Sequence, residues 1–200
     1  MKLSNIKIPF IDRGIIKEKA DQFRDKYWDK SIPVDIEKIV NFKLKMDIIP
    51  VAGLKDNFDI DAFITSDWSG IYVDLNSLIN DRFVNRLRLS LAHEIGHFVL
   101  HKDIYESFQI ATDVDFYKYY ELLPQEEYSK LEVQAFIFAG YLLVPRDVLK
   151  RERELVMKKV KDINKFDSGT LQAYLANYLS RKFGISFEAM QSILNFDNKK

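Results

Sequence analysis

The chain contains no cysteine. Disulfides, thiolate zinc sites and cysteine nucleophiles are therefore excluded together, and any transition-metal site must be built from His, Asp or Glu. Charge of one sign is also lacking. Thirty Lys and Arg balance thirty Asp and Glu, giving a formal net charge of +0 and a pI near 6.8. No global field draws such a chain to nucleic acid or anionic lipid. No stretch approaches the roughly 18 apolar residues of a membrane span, and the opening MKLSNIKIPFIDRG has no signal-peptide core. These absences predict a cytoplasmic protein with no direct nucleic-acid partner and no membrane.

What is present is a chain of 200 residues, 47% hydrophobic, enough to bury the core of one fair-sized domain, with or without a small appendage. From Gly14 to Trp28, Ile16, Ala20, Phe23 and Tyr27 recur at helical spacing. PVDIEKIVNF reads as a second, shorter helix. The period then changes: LKMDIIPV, DAFITSD and GIYVDLN are short, rich in β-branched and aromatic residues, and separated by Gly, Asp and Asn. They predict three strands of a small antiparallel sheet.

Helix returns from Asp81 to about His101, where Val84, Leu87, Leu91, Ile95 and Phe98 form an apolar stripe. A second long helix runs from about Gln125 to Val144 and stops at Pro145. The aromatic, acidic segment between them, residues 102–124, reads as a structured loop or short helix over the surface. The tail predicts a charged helix from Asp147 to about Lys161, another capped by Ser168 and ending at Gly184, and a last one capped by Ser186. The class is α+β, mainly helical.

All three histidines, His93, His97 and His101, fall within nine residues of one predicted helix, inside LSLAHEIGHFVLH. Residues four apart lie one turn apart on the same face, so His93 and His97 can aim ring nitrogens at a single ion. Glu94 is rotated by about 100° from them, badly aimed for a ligand but able to reach a metal-bound water. Hydrolysis needs that division: the ion acidifies the water and polarises the carbonyl, and the glutamate takes the proton. A chance HExxH is expected in roughly a few per thousand sequences of this composition, which weighs against two histidines that merely decorate a buried helix.

A catalytic zinc needs a third protein ligand and an open position. His101 lies two turns beyond His93 and about 80° off its direction, which suits a supporting contact behind the ligands. The longer HExxHxxGxxH pattern is absent, with Leu100 and Asp103 at the positions for its Gly and last His. A carboxylate from another helix is the other route. Glu132 is followed at three, four and seven residues by Ala135, Phe136 and Ala139, and a charge on so apolar a face is costly unless paired or ligating. Asp103, Glu106, Asp113, Asp115, Glu126 and Glu127 are alternatives.

RLSLAHEIGHFVLH followed by LEVQAFIFAGYLLVP resembles the ImmA/IrrE family of metallopeptidases, whose pattern is RxxLAHExxHxxLH and then ExxANxFAxxLLxP. PVDIEKIV, GIYVDLN and LANYLSRKFGIS resemble that family's flanking elements. The resemblance implies a zincin-like core over residues 1–145, with a C-terminal helical unit over 146–200 packed on it. It implies His93, His97 and Glu132 as Zn2+ ligands, with Mn2+ or Fe2+ also suited to such ligands, and Glu94 as general base. It also implies cleavage of a helix-turn-helix repressor that relieves repression of transcription. Two departures stand out: Phe136 replaces the family's Asn, and the segment before Glu132 is long, which suits a lid or a partner-specific surface.

An extended substrate commonly adds to an exposed sheet edge, so the strand from Gly70 to Asn76 is the candidate site, with Tyr72 and Asp74 facing away from the apolar side. Tyr72, Tyr141 and His101 are unranked candidates for stabilising the oxyanion. A second reading is a metal-binding interaction module that sequesters a repressor or toxin without cutting it. A third takes LANYLSRKFGISFEAMQSILNF as a DNA-reading helix-turn-helix, disfavoured because its second helix offers Glu188 and Gln191 but no Arg or Lys before the terminal lysines.

Overall fold

The computed structural model describes residues 6–159 and 167–197. The expected helix end near Lys161 and the terminal lysines lie outside them. An extended segment, with Ile6 and Ile8 buried, leads to α1 (Arg13–Tyr27), capped where the Asp12 side chain accepts from the Gly14 amide at 2.7 Å. Ile16, Ala20 and Phe23 of its predicted stripe are buried and Tyr27 is half-buried, and Phe23 meets Phe138 edge to face at 6.0 Å. α2 (Ile36–Lys38) opens under an Asp35 cap and runs into a π-helical turn, Ile39–Leu44.

Three strands follow: β1 (Asp47–Val51), β2 (Ala62–Ile64) and β3 (Gly70–Asp74), with α3 (Leu54–Phe58) between the first two. The sheet order is β1-β3-β2. The expected all-antiparallel pairing is corrected: β2 and β3 are antiparallel, but β1 and β3 are parallel. Residues 65–69 make a tight connection between β2 and β3, whereas β1 reaches β3 only by a crossover through α3 and β2, and a crossover returns the chain in the same direction.

The central place of β3 overturns its reading as an open edge. Tyr72 stacks flat on Phe63, centroids 4.8 Å apart, and Asp74 is 4% exposed. The strand also ends two residues before Asn76. Asp74 caps α4 (Leu75–Ile79), accepting from the Ser77 amide at 3.2 Å and from the Lys55 amide at 3.0 Å. Its carboxylate serves the fold.

After a 3₁₀ turn (Asp81–Phe83), α5 (Val84–Leu100) packs along α8 (Gln125–Leu143) at the centre of the molecule. The segment joining them holds α6 (Lys102–Tyr105) and α7 (Asp113–Leu122). These are the short helices expected there: the outer side exposes Val114, Tyr117, Tyr120 and Leu122, and the inner side buries Tyr105, Phe108, Phe116 and Tyr119. The buried rings touch one another and reach Phe63 and Trp68, which ties the segment to the core.

The tail forms α9 (Arg146–Lys159), α10 (Ser168–Phe183) and α11 (Phe187–Asp197). α10 is capped by Asp167, one residue before the expected Ser168, and ends at Gly184 with φ +64°. Ser186 receives the Ala189 amide as expected. Leu175, Leu179, Phe183, Met190 and Leu194 join the same apolar core as α5 and α8. Arg88 ties the regions together, donating at 2.9 Å to the Gly184 carbonyl and at 2.6 Å to that of Val34. No helix among the described residues is long and apolar enough to cross a membrane.

Candidate metal centre

The site forms where α5 and α8 come closest. Gly96 makes that approach possible, since a Cβ there would stand 2.9 Å from both Cα and O of Ala135. With the backbones this near, Glu132, three residues before Ala135, reaches both histidines of the other helix.

His93 Nε2 and His97 Nε2 are 3.0 Å apart, Glu132 Oε2 is 3.1 Å from the first, and Glu132 Oε1 is 3.4 Å from the second. Among the described residues these three form a group whose ligand atoms lie within 4.8 Å of one another. Two donors each about 2.0–2.1 Å from a tetrahedral ion stand roughly 3.3 Å apart, so the spacing is that of ligands around one small cation. The chemistry of the set, two imidazoles and a carboxylate with no thiolate, suits zinc and neighbouring divalent metals. The alternative carboxylates stand elsewhere. Glu126 pairs with Lys130, Asp115 meets the α7 cap Thr112, and Glu127 accepts from the Ile8 amide at 2.7 Å.

Charge in this cluster is strongly coupled. Burial opposes ionisation of Glu132, but hydrogen bonds from His93 and His97 outweigh it and hold the carboxyl well below its usual range. Burial likewise opposes charge on His93, where Glu132 prevails and raises the imidazole; at His97 burial prevails and lowers it. Glu94 is 4% exposed, and burial pushes it up to about 8, with His93 opposing and Glu132 adding to the rise. The Ile64 amide of β2 faces its carboxylate.

His101 lies behind the ligands, its Nδ1 3.0 Å from Nδ1 of His97 and its Nε2 2.9 Å from Gln134 Oε1. Burial, then the neighbouring His97, lower it to about 3. Of the other suggested oxyanion donors, Tyr72 is in the sheet stack, and Tyr141 is buried under Arg146, whose guanidinium carbon is 4.7 Å from the ring centroid.

Two residues escaped the sequence reading. Tyr128 lines the cavity beside Glu94 and faces Glu132, with burial raising its phenol. Its i−4 relation to Glu132 was the available signal. Gln134 had none, because its partners are long-range.

Two hollows meet at the centre. One, of about 380 Å³, is lined by Asp59 to Ala62, Glu94 and Tyr128; the other, of about 500 Å³, is apolar and runs between α8 and α11 past Val133, Gly140, Ala189 and Ile193. His93, Glu132 and Phe136 border both. Phe136, where the resembled family has Asn, thus makes the shared rim apolar. α11 turns Ala189 and Ile193 toward this groove and buries Met190 and Leu194, leaving its inner face committed to the protein itself.

No curated protein matches the sequence. The fold is similar to a solved Mycobacterium tuberculosis transcriptional regulator, with a TM-score of 0.52 and 14% identity, over 88% of this chain and 44% of that one. The chain therefore spans less than half of that regulator's length. The sequence profile of the IrrE N-terminal-like domain matches residues 79–195, more than half of the chain, from the turn before α5 to the last helix. With the two histidines and the glutamate all inside that match, the chain belongs to the IrrE N-terminal-like peptidase family.

Proposed function

We propose that the protein is a zinc-dependent endopeptidase that cuts a peptide bond in a helix-turn-helix transcriptional repressor and so relieves repression. The observation that carries this reading is the convergence of His93, His97 and Glu132 on one point, with buried Glu94 opening onto the same cavity. A divalent ion held by these three residues would supply Lewis-acid chemistry, acidifying a water and polarising the scissile carbonyl.

Glu94 does the proton work. As a carboxylate it takes a proton from the water whose oxygen bonds to the carbonyl carbon, and it gives that proton to the amide nitrogen as the C–N bond breaks. Its elevation to about 8 suits a group that must both accept and return a proton near neutral pH. Tyr128, kept protonated by burial, faces Glu132 and offers a phenol to that side of the cavity.

In this reading an extended substrate adds to the outer edge of β2, not to β3. β2 pairs with β3 alone among the described strands, and residues 59–62 border the cavity that holds Glu94. The apolar groove between α8 and α11 receives a large apolar side chain next to the scissile bond. The likeness to a transcriptional regulator and the family resemblance support a repressor as substrate.

The test is to mix the zinc-loaded protein with helix-turn-helix repressors from the same organism and to sequence any fragments. Cleavage at one bond by the wild type, abolished in Glu94→Gln with zinc retained, is the expected result. Equal cleavage by Glu94→Gln would sink the mechanism, and tight repressor binding without fragments from either protein would favour sequestration.

A further inference from the structure

Gln134 is a buried polar side chain on α8, 6% exposed, and both ends of its amide are used. Nε2 donates to the backbone carbonyl of Pro9 at 2.9 Å, and Oε1 is 2.9 Å from His101 Nε2. A peptide carbonyl only accepts, so the amide nitrogen must face Pro9 and the oxygen must face His101. An amide oxygen also only accepts, so His101 Nε2 carries a hydrogen.

His101 is buried, and neither of its ring partners is a carboxylate, so it is the neutral imidazole, with a lone pair on Nδ1. That lone pair lies 3.0 Å from His97 Nδ1, which must therefore donate. A neutral His97 with its hydrogen on Nδ1 has a bare Nε2, the atom 3.0 Å from His93 Nε2 and 3.4 Å from Glu132 Oε1. The direction of every hydrogen bond in the row follows from its first member, a carbonyl oxygen 125 residues away from Gln134.

The anchor is firm. Glu127 lies seven residues before Gln134, two turns along the same face of α8. Its buried carboxylate accepts from the Ile8 amide at 2.7 Å and from Lys7 at 3.2 Å. The segment before α1 is thus fastened to α8 at adjacent residues, Ile8 to Glu127 and Pro9 to Gln134, while Ile6 and Ile8 are buried in the core.

We propose that Gln134 is a positioning residue: oriented by the Pro9 carbonyl, it fixes through His101 the tautomer in which His97 offers Nε2 to the metal, making the segment before α1 a working part of the site. This rests on the assignment of His97 as a metal ligand. Losing such an outer partner typically weakens metal binding by about 10–100-fold.

The tautomers are read on the metal-stripped, ¹⁵N-labelled full chain by long-range ¹H–¹⁵N correlation, where three histidines give a simple spectrum. Expected are hydrogen on Nδ1 of His97 and on Nε2 of His101. Gln134→Met, which keeps side-chain volume, should give mixed tautomers at His97 and weaken zinc binding, measured by chelator competition, by about 10–100-fold. His101→Phe, which keeps a ring in place, should do the same if Gln134→Met folds poorly. Hydrogen on Nε2 of His97 in the wild type, or unchanged tautomers and zinc affinity in both variants, would overturn the proposal. Because the tautomers are read without metal, a wild type that binds no zinc removes the ligand assignment while the spectrum still decides the relay.

Discussion

Gly96 of α5 and Ala135 of α8 touch backbone to backbone: a Cβ on Gly96 would lie 2.9 Å from Ala135 Cα and 3.2 Å from Ala135 Cβ. Gly96→Ala must therefore part the two helices. Overpacking of this kind costs about 1–3 kcal/mol, against a helix-propensity gain of up to about 1 kcal/mol. Because Glu132 rides on α8, the expected outcome is a lower melting temperature together with weaker zinc binding, checked by calorimetry and by chelator competition.

Glu132→Gln keeps size and polarity but removes the anionic ligand. Bound zinc measured by mass spectrometry after dialysis should fall from about one per chain to near zero, as expected when one of three protein ligands is lost. Its two oxygens lie 3.1 Å from His93 Nε2 and 3.4 Å from His97 Nε2. Glu126→Gln, on the exposed side of the same helix with Lys130 as partner, should leave the zinc content unchanged.

Glu94 gives the metal-free protein a pH signature. Its carboxyl is raised to about 8 by burial, above the roughly 4.3 of an unfolded glutamate. The folded state therefore holds a proton that the unfolded state has released between those values. The stabilisation is fully present below the unfolded value and is lost as pH rises through the folded one. With chelator present, the melting temperature of the wild type relative to Glu94→Gln should decline from about pH 5 to about pH 8, because the lowered His97 and His101, whose stabilisation grows with pH up to the unfolded imidazole value, act in both proteins. A wild-type curve parallel to the variant's would contradict the assignment.

Gly140 lines the apolar groove, and a Cβ built on it meets no atom within 4 Å. Gly140→Leu should raise stability by about 0.5–1 kcal/mol, since it replaces a mid-helix glycine, and should leave zinc affinity unchanged. It fills the groove, so cleavage of peptides with a large apolar residue beside the scissile bond should fall more than cleavage of peptides with alanine there. A comparison of kcat/KM for the two peptide sets checks it.

What could be read in advance divides by the range of the interactions. The helix carrying HEIGH, the helix ending at Pro145 and the Gly184 turn rest on spacing and local dihedral preferences, and they appear within three residues of expectation, the largest difference being the start of α5 at Val84 after a 3₁₀ turn. The sense of β1 was misjudged because three short strands in a row suggest hairpins, and only the position of β2 beyond β3 forces a crossover. Asp74 was misjudged because a carboxylate at the end of a strand looks the same in sequence whether it meets solvent or caps the next helix. The aromatic segment 102–124 lacked periodicity because it packs on several sides at once. Gln134 was invisible, since its meaning depends on Pro9 and His101, 125 and 33 residues away.

The fastening of Pro9 to Gln134 also sets an order of events during synthesis. The histidine pair is made locally, on a single helix, but Glu132 and Gln134 are joined to the chain only 35 and 37 residues after His97. A nascent chain ending before α8 holds two imidazoles and no finished cage. Tight capture of the ion is therefore a late step, and release of metal should track opening of the α5 and α8 pair ahead of the melting of either helix alone.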